Sequence, residues 1–128
     1  MFEPSKLKKI KFEILRNGER ISTENIEKLI TSTKDDDLKN FLTGMKHLME
    51  KHYSEAIKWF QLSNCKDSPL LIAILSFKLA DQFLYEEYRN LTAEFDCLKK
   101  YSLKVYLRFD EKIIFVSPSV VSKISEII

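Results

Sequence analysis

The sequence predicts a mainly α protein with minor β, in which antiparallel helical hairpins are flanked by N- and C-terminal β-hairpins. Three observations predict it. Apolar residues recur at helical spacing from about residue 23 to residue 100. Alternation of period two is confined to two short stretches, one on either side of that region. Only two glycines and three prolines punctuate 128 residues, which favours long regular elements over disorder. The length argues for a single domain, with a helical core over about 23–100 and a C-terminal β-hairpin plus helix over 102–128.

The first element alternates. Ile10, Phe12 and Ile14 are interleaved with Lys9, Lys11 and Glu13, and Asn17-Gly18 follows. Asn-Gly is a strong hairpin signal because both turn positions need a positive φ. In that register Ile14 faces Ile21. A helix from Ser5 to Arg16, capped by Gly18 and using Leu7, Ile10 and Ile14, is the competing reading. Ser22-Thr23 then caps a helix from Glu24 to Thr31 with Ile26, Leu29 and Ile30 inward. The aspartates of STKDDD lead into the next helix, where negative charge favours the N-terminal dipole.

Helices are predicted over Leu38–Glu50 and His52–Asn64. Ser68-Pro69 opens another, since proline suits the first helical turn. Residues 70–80 are apolar on nearly every side, so this helix is expected at the centre. Asp81 breaks or caps it. A further helix to about Lys100 carries the stripe Leu84, Tyr88, Leu91, Phe95 and Leu98. Leu103, Val105, Leu107 and Phe109 alternate with Lys104, Tyr106 and Arg108, and Asp110-Glu111 turns the chain into KIIFV, a second hairpin. A last helix after Ser117-Pro118 places Val120, Val121, Ile124, Ile127 and Ile128 on one face. That face packs on the domain, marks a fragment, or forms a homo-oligomer contact.

Gly44, Tyr53, Ala56 and Phe60 fall at the spacing of a tetratricopeptide repeat, a pair of antiparallel helices of about 34 residues. Residues 38–69 resemble one such unit, and 70–100 resemble a degenerate second one. Each matched residue has a physical role: Gly44 permits close approach of two helices, Ala56 leaves room for it, and Tyr53 and Phe60 fill the space between. Asn40 stands where the family has a large residue, with Phe41 beside it, and Ser63 stands where it has alanine. In that family the first helix of each unit lines a concave groove for peptides. The resemblance implies a partner-binding groove of Leu38, Phe41, Met45, Leu48 and Met49, five positions on one apolar stripe. It implies a protein–protein interaction module, an adaptor or a chaperone-like holder, whose partner presents an amphipathic helix. The lysines and asparagines that grip acidic tails in some members are missing from those positions. The competing reading makes the stripe core beneath the terminal elements. The stretch is also similar to tetratricopeptide-like chaperones of type III secretion, from which the two β-hairpins depart.

Chemistry-bearing patterns are sparse. There is no phosphate-binding glycine loop, no His-Glu-x-x-His and no nucleophile elbow, so no enzyme and no cofactor is expected. His47 and His52 lie about 140° apart on a straight helix, so they are expected to face outward without a metal. Trp59 lies off the Tyr53–Ala56–Phe60 face, as cover for a hairpin or as a second partner contact. A helix followed by a β-hairpin also suits a winged-helix nucleic-acid-binding or regulatory domain. Its recognition helix, 84–100, would carry Glu86, Glu87, Glu94 and Asp96, which repel phosphates, against a net charge of only +2, so nucleic acid is disfavoured. Cys65 and Cys97 read as free thiols in a reducing compartment. With no secretory signal and no apolar run long enough to span a bilayer, the expectation is a cytoplasmic protein away from membranes.

Overall fold

A computed structural model describes residues 11–79, 81–88, 96–109 and 112–115. The chain opens with strands β1 (Lys11–Arg16) and β2 (Glu19–Arg20). Between them Asn17 and Gly18 both have positive φ, 53° and 84°, the geometry the Asn-Gly pair favours. The Ile21 amide donates to the Ile14 carbonyl at 3.2 Å, so the predicted register holds and the helical alternative for this segment is excluded.

Among the described residues five helices follow before a short sixth. Helix α1 (Thr23–Ser32) is capped by Ser22, whose hydroxyl accepts from the Asn25 amide. Helix α2 (Asp36–Met49) is capped by Asp35, whose carboxylate accepts from the Leu38 amide. Helix α3 (Tyr53–Leu62) returns antiparallel to α2, and α4 (Ser68–Lys78) and α5 (Gln82–Tyr88) form the next pair. The end of α3 is tied back to the start of α2: the Ser63 hydroxyl donates to the Asp37 carbonyl at 2.7 Å, and the Asn64 amide donates to the Asp37 carboxylate at 3.1 Å. Asp81 caps α5 through the Leu84 amide.

Gly44 has a steric reason. A β-carbon built on Gly44 would lie 2.6 Å from Cε1 of Phe60, a buried ring that also meets Phe41 at 5.5 Å. Ala56 is fully buried on the same interface. Helix α4 is the centre of the molecule, as its uniformly apolar sequence predicts: residues Leu70 to Leu75 are all 1% exposed or less.

The helix expected to run to Lys100 is not continuous. A separate helix, α6 (Cys97–Lys100), begins with Asp96 as its cap. Apolar spacing carries no information about such a break, because a new helix in phase preserves the stripe. Strands β3 (Leu103–Phe109) and β4 (Lys112–Phe115) follow. All strand pairs are antiparallel, in the order β2-β1-β3-β4, so the two hairpins join into one sheet through β1 and β3. Leu91 and Phe95 of the apolar stripe, the Asp110-Glu111 turn and the predicted C-terminal helix lie outside the described residues.

The sheet closes over the helices. Phe12 meets Tyr53 with ring centroids 6.1 Å apart, and Ile14, Leu103 and Val105 join the buried core. The Thr33 hydroxyl meets the Tyr101 hydroxyl at 2.9 Å, linking the end of α1 to the start of β3. The cysteines, expected as free thiols, are joined in a Cys65–Cys97 disulfide with Cα atoms 6.2 Å apart. They lie 32 positions apart in sequence, and the bond links the α3–α4 connection to the start of α6. Their spacing could not disclose this, since the pairing depends on where the chain doubles back.

Candidate functional site

The five groove positions do not form an open groove. Phe41, Met45 and Leu48 are buried at 0%, 0% and 2% exposure, and Leu38 and Met49 are half-buried against the same core. Helix α1 packs on α2, with Ile26 fully buried, and β1 also meets α2. An ion pair between Lys46 and Glu27 at 2.8 Å straps α1 to α2, and the Glu27 hydrogen bond raises the Lys46 ammonium above its ordinary value. The stripe that the resemblance assigns to a partner is covered by the protein's own N-terminal elements. One amphipathic stripe looks the same in sequence whether a partner or the chain itself covers it.

Trp59 is half-buried on α3 and stacks on His47, with centroids 6.5 Å apart and planes 8° from parallel. It covers the histidine turn. His47 and His52, expected to diverge, lie with ring centroids 5.7 Å apart. The cause is the turn between α2 and α3. Lys51 takes a φ of 64° and the His52 amide donates to the His47 carbonyl at 2.8 Å, so the backbone folds back instead of continuing as helix. The 140° offset of a straight helix does not apply across that turn.

A cluster the sequence did not single out surrounds the disulfide. Asp67 is fully buried, and its carboxylate accepts from the amides of Cys97 and Leu98, both at 3.0 Å. It thereby caps α6 from a distant loop. Burial, and then a hydrogen bond shared with Asp96, push the Asp67 carboxyl up to about 7. That shared bond holds Asp96 below the ordinary carboxylate range. Two adjacent carboxyls thus hold one proton between them at mildly acidic pH. In sequence Asp67 is one more aspartate before a Ser-Pro helix start, and no pattern distinguishes it.

The largest exposed apolar side chain among the described residues is Phe83, 93% exposed at the start of α5, and Leu79 is 41% exposed at the end of α4. They flank the α4–α5 turn. Phe83 had a sequence signal, since it falls off the Leu84–Tyr88 stripe and so faces away from the core. A cleft of about 430 Å³ lies at the opposite end of this helix pair, away from Phe83, lined by Phe60, Ser63, Cys65, Pro69, Ile72 and Tyr88. No helix among the described residues is long and apolar enough to cross a membrane. The chain matches no known family model, no curated protein and no solved structure.

Proposed function

We propose that this protein is a protein–protein interaction module, an adaptor or chaperone-like holder, that receives an apolar segment of its partner at the α4–α5 turn. The observation that carries this reading is Phe83: an aromatic ring left 93% exposed at the start of α5, with Leu79 41% exposed at the end of α4. Aromatic side chains bury a large area at low entropic cost, and interface energy concentrates on a few such residues.

The reading keeps the interaction class that the repeat resemblance implies and moves the contact. The α2 stripe supports the fold; the second helix pair offers the surface. The winged-helix alternative needs one recognition helix running into the hairpin, and here α5 and α6 are separate helices with Asp96 capping the second.

The test is affinity capture from the native cell extract with wild type, Phe83→Ser and Lys28→Ser. Both positions are exposed, so folding is unaffected. A protein retained by wild type and Lys28→Ser and lost with Phe83→Ser is the expected result. Equal retention by all three places binding elsewhere.

A further inference from the structure

We infer that the α2–α3 turn is a binding site for a borderline divalent cation of the zinc, cobalt and nickel class, held by His47, Glu50 and His52. One ligand atom from each of the three side chains lies within 4.8 Å of the other two. Around a tetrahedral ion with bonds of about 2.1 Å the ligand atoms sit roughly 3.4 Å apart. Glu50 and His52 are both exposed, so rotation of their side chains closes that difference without moving the backbone. Two imidazoles and one carboxylate are a ligand set for such ions and not for magnesium or calcium, which take oxygen. Three protein ligands leave a fourth position open toward solvent.

Three further features distinguish this cluster from a chance meeting of surface residues. The turn is rigidly built: the amides of Glu50, Lys51 and His52 donate to the carbonyls of Lys46, Leu48 and His47 at 3.0, 3.1 and 2.8 Å. Nδ1 of His47 is buried and has no hydrogen-bond partner among the described residues, which leaves that imidazole with unused bonding capacity. Trp59 stacks on the same imidazole at 6.5 Å and limits its rotation. Charge sets the expected strength. Lys46 is compensated by Glu27, but Lys51 lies in the turn itself and repels a cation. Binding in the micromolar range is expected, weaker than a four-ligand structural zinc site.

Trp59 is the only tryptophan in the chain and so reports on its neighbour. The experiment titrates tag-free, disulfide-intact protein with Co²⁺, following quenching of Trp59 fluorescence, then displaces it with Zn²⁺. Keeping the disulfide intact removes the two thiols as competing ligands. The variants are His52→Ala and Glu50→Gln, with the exposed Glu55→Gln as control and circular dichroism confirming the fold of each. The expected result is saturable one-to-one quenching that Zn²⁺ reverses, weakened more than about tenfold by His52→Ala and severalfold by Glu50→Gln, and unchanged in Glu55→Gln. Absence of saturable quenching in wild type overturns the inference, and so does quenching that survives unchanged in His52→Ala.

Discussion

Gly44 and Asp67 show how much a single position can hold, and how unevenly sequence discloses it. Gly44 was legible, because a glycine inside a strong helical pattern needs a reason, and the reason is the Phe60 ring. Gly44→Ala sets a methyl group against a ring already packed on Phe41, so it is expected to destabilise by about 1–3 kcal/mol despite improving helix propensity, measurable by urea denaturation. Asp67 was not legible, because its partners are amides 30 and 31 residues away. Its pH behaviour follows from its environment. The folded value of about 7 lies above the ordinary 3.8, so its stabilising contribution is full below that ordinary value and is lost as pH rises through about 7. Asp96 acts in the opposite sense: its contribution is present above the ordinary value and is lost as pH falls through its depressed one. Asparagine at position 67 does not titrate. The melting-temperature advantage of wild type over Asp67→Asn should therefore shrink as pH is raised from about 4.5 to about 7.5. A constant difference across that range contradicts the assignment.

At the scale of elements, local signals read well and long-range ones did not. The Asn17-Gly18 turn, the Ser22 cap and the Ser68-Pro69 helix start are each decided by a few neighbouring residues, and each stands where the sequence places it. The break before α6 and the Cys65–Cys97 bond depend on contacts across the fold, and no periodicity announces them. They belong together physically, since the disulfide and the Asp67 cap fasten the same short helix to the α3–α4 connection. A four-residue helix has little stability of its own. Closing a loop of this size by a disulfide stabilises by roughly 3–4 kcal/mol in the chain-entropy account. Reduction, or Cys97→Ser, should lower the melting temperature and raise amide exchange first in 96–102. Uniform exchange with and without reductant contradicts that picture.

At the scale of the molecule, one amphipathic stripe allowed two architectures. An open repeat array leaves α2 as a groove; a closed domain lays α1 and the sheet across it. The closed form is the one observed, because β1 pairs with β3 and joins the two β-hairpins into one sheet over the helices. Met45→Asp places a carboxylate in a fully buried site, so loss of the folded state by circular dichroism is expected, not a selective loss of binding. The free surface is then decided by what the sheet and α1 leave uncovered, which helical periodicity alone does not report. Among the described residues it leaves Phe83, Leu62 and Leu79 as the exposed large apolar side chains.

The most direct test of the interaction assignment is site-specific photo-crosslinking in the native cell, with a photoreactive amino acid replacing Phe83 and, separately, replacing Lys28, an exposed position on α1. A discrete adduct of higher mass from position 83, absent from position 28, is the result that a partner seated at the α4–α5 turn requires. No adduct from position 83, or the same adducts from both positions, contradicts it.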